Sequence, residues 1–369
     1  MLEYLLIAFI VIFCIQFIYY IFIFGSFSFS KIRPSENNFN QPVSVIICAK
    51  NEAKNLTENL PIFLKQSYKN FELVLINDRS NDKTLKVMEQ FKNETTLNIK
   101  IVNILANEQF WGSKKYALTL GIKAASNEHL LFTDADCIPV SENWITEMAS
   151  KFSDEHQIVL GYGAYEKIKK SWLNKLIRFE TLLTAIQYFG YAKIGIPYMG
   201  VGRNLAYTKS VFFNVNGFAN HMHIKSGDDD LFINQVATKQ NTVISFSKDS
   251  STESIPKINF KDWILQKRRH ISTASFYKPL HKFLLGLFFS TQLLFWILSV
   301  ALLSFLFNWQ IVTGLVFARI IIQYLVIGYS AKKLNERDLI LFIPFFEIYL
   351  IFIQMFIFIK NMISKPIHW

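Results

Sequence analysis

The order of hydrophobic and polar positions divides the chain into four long apolar stretches and one central block of short apolar runs. The long stretches cover residues 4–24, 283–307, 311–330 and 339–359. At about 1.5 Å per helical residue, each is close to the roughly 30 Å needed to cross a bilayer core. The pattern therefore predicts one N-terminal membrane helix and about three C-terminal ones.

The first stretch is interpreted as an uncleaved anchor. A signal peptide would carry a basic flank and a small-x-small cleavage site, but this chain has Glu3 and no such site. Arg319 and Glu347 fall within the third and fourth stretches. Charges are costly inside a bilayer unless they are paired, and both residues fall near mid-depth, so we expect them to face each other.

Basic residues give the expected orientation. Lys31 and Arg33 follow the first stretch, and residues 257–282 contain seven Lys or Arg against one Asp. By the positive-inside rule the central block is cytoplasmic, which predicts an integral protein of a bacterial inner (plasma) membrane. The loop "AKKLNERD" fits the same side, whereas Lys360 and Lys365 disfavour a final crossing.

The central block predicts an α/β domain. After a polar linker, "KIRPSENNFNQP", strands are expected at 43–49, 71–78, 97–104 and 128–134, separated by helices, the first of them interrupted near Pro61. This alternation is typical of a mostly parallel sheet. Residues 171–200 fit either a core helix or a helix against the bilayer interface. The domains expected are an anchor (1–30), a catalytic domain (41–256), a basic interfacial segment (257–282) and a membrane region (283–369).

Composition and charge narrow the functional classes. Hydrophobic residues make up 51% of the 369 residues, and the formal net charge is +11. Because no nucleic-acid recognition motif accompanies this charge, we assign it to the membrane surface and expect no nucleic-acid partner. Cys14, Cys48 and Cys137 are scattered, which disfavours both a disulfide framework and a structural zinc site.

Polar residues cluster at the predicted strand ends, where parallel α/β sheets bind ligands. Asn51 and Glu52 follow the first strand, Asp78 ends the second, and Asp134 and Asp136 end the fourth. Carboxylates at i and i+2 lie on the same side of an extended segment, so this pair suits Mg²⁺ or Mn²⁺.

These segments, from about residue 43 to 270, resemble the family 2 glycosyltransferases, which have a GT-A (Rossmann-like) catalytic domain. "VIICAKNEAKNL" is similar to the first donor motif and implies nucleotide contacts for Ala49, Asn51 and Glu52. "VLINDRSNDKT" implies that Asp78 holds the uracil or ribose; an Asx turn is the simpler alternative. "FTDADC" matches the D-x-D motif, in which Asp134 and Asp136 bind the nucleotide sugar through a divalent cation.

Other motifs of the family depart from its pattern. "GSKKYALT" resembles a stretch that places Lys114 near the diphosphate, although Ser113 replaces the usual Gly and Lys115 competes for the role. "QKRRH" resembles the Q-x-x-R-W motif and implies an acceptor-site role for Gln266 and a diphosphate contact for Arg269. His270 replaces Trp as the acceptor wall. The alternative for this run is a basic patch at the membrane surface.

Two further stretches resemble the acceptor loop and the catalytic base. "MGVGRNLAYTK" implies acceptor-site roles for Gly202, Arg203 and Asn204. "SGDDDLFINQ" supplies the base from Asp228, Asp229 and Asp230. One alignment favours Asp228 and another favours Asp229, whereas a solvated helix N-terminus is the simpler alternative. Crowded carboxylates repel one another, so at least one should have a raised pKa.

Together these features predict a membrane-bound, metal-dependent glycosyltransferase, and the family resemblance implies that it is inverting. The expected partners are a nucleotide sugar, UDP-linked by resemblance, a lipid or glycan acceptor at the cytoplasmic face, and membrane lipids. A processive polysaccharide synthase is the alternative within this class. A catalytically silent scaffold that binds a nucleotide sugar is the alternative outside it.

Overall fold

The computed structural model describes residues 1–31, 39–105 and 114–364. Most of the predicted linker, including Arg33, and also Ser113 and Lys365 lie outside these residues. The described chain forms two compact units. The α/β unit comprises 39–105, 114–170 and 195–257, and the helical unit comprises 1–31, 171–194 and 258–364.

Strands and helices follow the predicted order. The strands are β1 (Val43–Ala49), β2 (Phe71–Asp78), β3 (Ile99–Ile104), β4 (His129–Asp134), β5 (Cys137–Pro139), β6 (Ile158–Leu160), β7 (Gly163–Tyr165), β8 (Leu205–Thr208), β9 (Thr242–Ile244) and β10 (Thr252–Ser254). The helices are α1 (Leu2–Ile18), α2 (Gly25–Ser28), α3 (Ala53–Phe63), α4 (Thr84–Glu94), α5 (Lys114–Ala124), α6 (Trp144–Ala149), α7 (Trp172–Lys193), α8 (Lys209–Asn214), α9 (Asp230–Val236), α10 (Phe260–Thr273), α11 (Pro279–Ser304), α12 (Trp309–Lys333) and α13 (Ile343–Ile363).

The seven-stranded sheet of the α/β unit has the order β3-β2-β1-β4-β8-β6-β9. The first four strands in this order run parallel, and β8 is antiparallel to both of its neighbours. Strand β1 is almost continuously apolar and β2 contains the apolar run 73–76, a pattern typical of a parallel sheet covered on both faces, and nearly all residues of both strands are buried. The mostly parallel α/β fold is therefore confirmed.

A smaller three-stranded sheet, in the order β5-β10-β7, stands beside the acidic pair. Strand β5 begins at Cys137, directly after Asp136, and pairs antiparallel with β10. The residue pairs are Cys137 with Ser254 and Pro139 with Thr252. The short loop Ala135–Asp136 is therefore fixed at both ends, by β4 in the large sheet and by β5 in the small one.

One local prediction needs adjustment. Helix α3 includes Pro61 and ends at Phe63 instead of breaking at the proline. The missing N–H of Pro61 would normally cost an interior hydrogen bond, but only two residues follow it in the helix. The buried side chains of Leu56, Leu60 and Phe63 face the sheet core, so packing holds this last turn.

The helical unit contains the long apolar segments. Among the described residues, four helical segments are long and apolar enough to cross a membrane: Leu2–Ser28, Pro279–Ser304, Trp309–Lys333 and Arg337–Ile363. The first contains a π-helical stretch, Tyr19–Phe24, between α1 and α2, and the last begins with a 3₁₀ segment, Arg337–Phe342. Helix α7, from inside the predicted catalytic range, also packs in this unit.

Arg319 and Glu347 face each other, as predicted. The Arg319 guanidinium donates to the two Glu347 oxygens at 2.5 and 3.0 Å, and both side chains are buried. Gln16 and Gln292 complete the cluster, because Gln16 accepts from Arg319 and Gln292 donates to Glu347. Helices α1, α11, α12 and α13 thus share one internal polar network.

Candidate active site

The carboxyl ends of β1, β2 and β4 are neighbours in the large sheet. In the register, Ala49 lies opposite Asn77, next to Asp78, and Cys48 lies opposite Asp134. Adjacent strands are about 4.8 Å apart, so the predicted donor residues at these strand ends occupy one edge. This edge is where a parallel sheet binds its ligand.

The loops after β1 and β2 are joined by hydrogen bonds. Asn51 has a left-handed backbone (φ 59°); its N–H donates to Ser80 Oγ at 2.9 Å, and its Oδ1 accepts from Asn81 N–H at 2.8 Å. The Glu52 N–H donates to Thr84 Oγ1 at 2.9 Å. Asn51 therefore holds the two loops together, a structural role that is compatible with a donor contact.

Asp78 is buried at the end of β2 and accepts from Arg79 Nε at 2.9 Å. The turn-forming carboxylate in this loop is Asp82, which accepts from the Thr84 N–H and hydroxyl. The Asx turn considered for Asp78 is therefore supplied by another residue. A donor role for Asp78 stays a prediction, supported by its position.

Lys114 links the two acidic groups that were predicted separately. Its Nζ lies 2.7 Å from Asp134 Oδ1 and 3.1 Å from Asp228 Oδ2. Burial disfavours the charged amine, but the two carboxylates outweigh it and raise the pKa of Lys114 well above its usual value. The metal motif and the proposed base cluster, 94 residues apart in sequence, therefore meet at one ammonium group.

Lys115 points elsewhere. Its ammonium is fully buried and donates to the carbonyl oxygens of His221 and Ile224 at 2.8 and 3.0 Å. These carbonyls belong to the loop that leads into the Asp228–Asp230 cluster. Of the two candidate lysines, Lys114 is the one beside the acidic pair, and Lys115 fixes the neighbouring loop.

The acidic pair has the properties of a cation site. Asp134, Asp136 and Cys137 each place a potential ligand atom within 4.8 Å of the others. Burial raises the pKa of Asp136, and the nearby Asp134 charge raises it further. At Asp134 burial acts in the same direction, but Lys114 overcomes it and lowers the pKa. The pair therefore carries more negative charge than its surroundings compensate, and a divalent cation would relieve it.

Cys137 supports the pair without being an obvious ligand. Its thiol is buried and donates to Asp136 Oδ1 at 3.4 Å. Burial and then Asp136 raise the pKa of the thiol well above its usual value, which disfavours the thiolate that a metal would bind. We conclude that the two carboxylates are the donors suited to Mg²⁺ or Mn²⁺.

The three aspartates of the second cluster differ in their contacts. Asp229 accepts from the Gly202 N–H through Oδ2 and from the Asp230 N–H through Oδ1, both at 2.7 Å. Burial, and then the charges of Asp228 and Asp230, raise the pKa of Asp229 to about 7. Asp230 begins α9 and is buried. Asp228 instead contacts Lys114, which also contacts Asp134 of the acidic pair.

The predicted acceptor loop lies against this cluster. Gly202 packs against Asp229: a Cβ at this position would make ordinary van der Waals contact, 3.4 Å from Asp229 Oδ2. Asn204 is fully buried and contacts Trp144, Tyr162 and Ser250. These hydrogen bonds give Asn204 a structural role, and its acceptor role stays a prediction.

Arg203 is directed toward the small sheet. It donates to Ala164 O at 2.9 Å and Ser254 Oγ at 2.8 Å, and its guanidinium lies 4.1 Å from the centre of the Tyr165 ring. Its carbonyl accepts from the Thr133 and Thr252 hydroxyls. Arg203 thereby ties β4, β7 and β10 together next to the acidic pair, and its acceptor role likewise stays a prediction.

A small pocket lies between these groups. Lys114, Asp134, Gly202, Asp228 and Asp229 line it, together with residues that the sequence did not single out for the site: Ile46, Cys48, Leu118, Phe132, Thr133, Leu205 and Tyr207. Cys48 and Tyr207 lie in otherwise ordinary strands, so no local signal marked them.

Gln266, Arg269 and His270 lie on α10, in the helical unit. Their neighbours in the basic run have defined contacts there. Lys267 pairs with Glu180, and Arg268 contacts the end of α13. The roles predicted for Gln266, Arg269 and His270 stay predictions.

Comparisons with known proteins give similarity to glycosyltransferases. A family model described as "Glycosyl transferase family 2" matches residues 44–216. Poly-beta-1,6-N-acetyl-D-glucosamine synthase of Staphylococcus epidermidis is 32% identical over 122 residues, which are 33% of this chain and 28% of that protein. The 4,4'-diaponeurosporenoate glycosyltransferase of Staphylococcus haemolyticus is 34% identical over 111 residues, 30% and 27% of the two chains. The matched region is therefore under a third of either relative's length.

A solved structure shares the fold over nearly the whole chain. The mannosyltransferase PcManGT from Pyrobaculum calidifontis, in complex with GDP-Man and Mn²⁺, superposes with a TM-score of 0.59. The likeness covers 95% of this chain and 99% of that one at 16% sequence identity. At this identity the likeness concerns the fold, and it confirms the GT-A architecture expected from the motifs.

Proposed function

Residues 44–216 are a family 2 glycosyltransferase domain, and on this premise we propose that the protein is a membrane-bound, inverting, metal-dependent glycosyltransferase. Its donor would be a nucleotide sugar, UDP-linked by the family resemblance. Its acceptor would be a lipid or a lipid-linked glycan at the cytoplasmic face. The observation that carries the proposal is the bridging position of Lys114 between Asp134 and Asp228.

The donor end of the site is assigned to Asp134, Asp136 and Lys114. Bound by the two carboxylates, a divalent cation would neutralise the developing charge on the departing diphosphate. The Lys114 ammonium lies beside the Asp134 carboxylate and would contact the diphosphate directly. A bound diphosphate would also compete with Asp228 for this ammonium, since both are anionic.

Asp228 is our choice for the base. Its carboxylate would take the proton of the acceptor hydroxyl while the oxygen attacks the anomeric carbon. The bond from that carbon to the diphosphate oxygen breaks, and the electron pair leaves with the nucleoside diphosphate. The raised pKa of Asp229 suits a base, but both of its carboxylate oxygens already accept hydrogen bonds from backbone N–H groups. A general base must first be within hydrogen-bonding distance of the proton that it takes, and its pKa matters only then. Asp229 would position the Gly202 loop.

Single transfer to a lipid acceptor is our first choice for the overall reaction. The four long apolar segments among the described residues provide little material for a wide polymer channel. Residues 257–282 are basic next to an apolar helix, which suits an amphiphilic acceptor. A processive polysaccharide synthase is the second candidate, favoured by the similarity to the poly-N-acetylglucosamine synthase.

A product assay tests both candidates. Membranes that contain the protein would be incubated with a panel of labelled nucleotide sugars and a lipid extract, and the products separated by size. We expect one labelled sugar per lipid; a ladder of products would favour the polymerase. If no sugar is transferred from any donor although the protein still binds a nucleotide sugar, the catalytically silent scaffold would be the remaining explanation.

A further inference from the structure

The last apolar segment differs from the other three in how its ends are placed. The first and second segments run antiparallel, because Tyr19 donates to Leu284 O at 2.7 Å and Gln16 donates to Thr291 at 2.7 Å. The third segment ends where the first ends, since Lys333 donates to Phe27 O at 2.8 Å. We call the side that holds Ser28, Pro279 and Lys333 the linker side.

The segment after α12 enters the helical unit from the linker side. It contacts α12 at two points inside the unit, because Tyr324 donates to Leu341 O at 3.4 Å and Arg319 contacts Glu347. From Lys333 to Arg319 is 14 helical residues, or about 21 Å. Glu347, near the start of α13, therefore lies roughly that far from the linker side.

The far end of α13 is held by α10. Arg268 donates to Asn361 Oδ1 at 2.8 Å and to the carbonyl oxygen of Ser364 at 2.6 Å. In return, Asn361 donates to the Arg268 carbonyl oxygen at 3.1 Å. The end of α13 is therefore at the level of Arg268.

Helix α10 itself belongs to the linker side. Only five residues separate its end from the start of α11 at Pro279. Its Lys267 pairs with Glu180 on α7, and Arg178 on α7 donates to Asp338, five residues after the end of α12. A polar helix tied to both of these ends cannot lie across the bilayer from them.

We propose that the chain from Arg337 to Ser364 does not cross the membrane but enters one leaflet and returns to the linker side. The 3₁₀ segment leads inward, and α13 leads outward from the level of Glu347. The 16 residues from Glu347 to Ile363 rise about 24 Å, enough to cover that depth. Lys360 then reaches the headgroups on the side where the other basic segments lie. A fourth crossing would have placed Lys360 on the opposite side, against the positive-inside rule, and this conflict disappears.

The partner of α13 is the hydrocarbon of that single leaflet. Outward-facing side chains of the helix are large and apolar, and they are exposed in the protein: Phe345, Phe352, Phe356, Phe358, Met362 and Ile363. A helix that is apolar on all sides needs either protein or lipid around it. Because α13 adjoins the other long apolar helices, we expect lipid acyl chains to surround its exposed apolar side chains.

A protease-protection experiment tests the arrangement without requiring enzymatic activity. An epitope tag would be appended after Trp369, and a second version would carry the same tag inserted between Phe307 and Asn308, in the loop joining α11 and α12. Lys282→Cys, one helical turn into α11, would mark the linker side by the reaction of its new thiol with an impermeant maleimide. The Cys14, Cys48 and Cys137 positions would be changed to Ala in this labelled variant.

In sealed vesicles of one orientation, we expect the tag after Trp369 to be digested whenever the thiol introduced by Lys282→Cys is labelled, and the tag at 307–308 to be protected. Digestion of both tags together, with the introduced thiol protected from the maleimide, would mean that α13 crosses, and would overturn the proposal. Detergent must release every tag to the protease, which shows that protection comes from the bilayer.

Discussion

Arg319 and Glu347 form a buried ion pair in which both carboxylate oxygens accept hydrogen bonds from one guanidinium. Each charge is compensated by the other and by glutamine side chains from α1 and α11. The pair lies within long, mostly apolar helices and both side chains are buried, so little water is available to replace a lost partner.

Removing one partner of this pair should be more damaging than removing both. Arg319→Met leaves the Glu347 carboxylate without its counter-charge, and we expect a loss of about 3–5 kcal/mol of stability. The double variant Arg319→Met/Glu347→Met should recover part of this loss. Thermal unfolding of the detergent-purified protein measures both, and Arg337→Met, at an exposed position, is the matched control. Equal losses of stability in the single and double variants would contradict the view that the unpaired Glu347 charge causes the loss.

Loss of either acidic-pair carboxylate should abolish metal-dependent transfer. We expect Asp136→Asn to lower kcat by about 100-fold or more, because the charge on the leaving diphosphate is no longer neutralised. Binding of Mn²⁺, followed by electron paramagnetic resonance, should weaken in parallel. Asp249→Asn, at an exposed position of the same unit, should change neither quantity. Undiminished Mn²⁺ binding in Asp136→Asn would remove this residue from the metal site.

Asparagine variants of the second cluster separate the base from its neighbour. We expect Asp228→Asn to lower kcat by about 10²–10⁴-fold with donor binding retained, as for loss of a general base. Asp229→Asn should act mainly on the Gly202 loop and cost less. A larger loss of kcat in Asp229→Asn than in Asp228→Asn would mean that Asp229 is the base.

The pKa of Asp229 also predicts a pH dependence of stability. Its folded pKa of about 7 exceeds the unfolded value of about 3.9, so the folded state holds a proton that the unfolded chain releases. This group therefore favours folding at low pH, and that contribution declines as pH rises from about 4 to 7. We expect Asp229→Asn to gain in melting temperature over the wild type, by several degrees, across this window in metal-free buffer. A constant difference from pH 4 to 8 would exclude the shifted pKa.

Lys115 should act on catalysis through the loop before Asp228. Lys115→Met leaves the His221 and Ile224 carbonyl oxygens without their buried donor, and we expect roughly a tenfold loss of kcat with little change in donor KM. The freed loop should be cut faster by trypsin at Lys225. Lys123→Met, exposed on the same helix, is the control. Unchanged cleavage together with a raised donor KM would instead place Lys115 at the diphosphate.

The parallel strands could be predicted because their cause is local. A strand buried on both faces is a short continuous apolar run, and β1, β2 and β4 have this pattern. The Arg319–Glu347 pair was also predictable, because the cost of an isolated charge in a bilayer leaves few arrangements open. In each case a single large effect, burial on both faces of a strand or the cost of an isolated charge, determines the arrangement.

Other features depend on contacts that a single sequence does not encode visibly. Lys114 and Lys115 are adjacent, and only their roughly 100° separation around α5 directs one to the carboxylates and the other to a loop. Helix α7 has apolar and polar positions that fit either unit equally well. Its placement follows from Arg178, whose partners Glu336 and Asp338 lie about 160 residues further along the chain.

Because α7 is inserted in the helical unit from the middle of the catalytic sequence, that unit is discontinuous along the chain. During synthesis, Arg178 emerges long before the carboxylates that neutralise it, so the helical unit cannot be completed until more than 330 residues have been made. A protein shortened after residue 257 would keep the donor site but expose the apolar surface of α7 to water. A soluble catalytic fragment therefore requires redesign of 171–194 as well as removal of residues 1–31 and of the C-terminal helices.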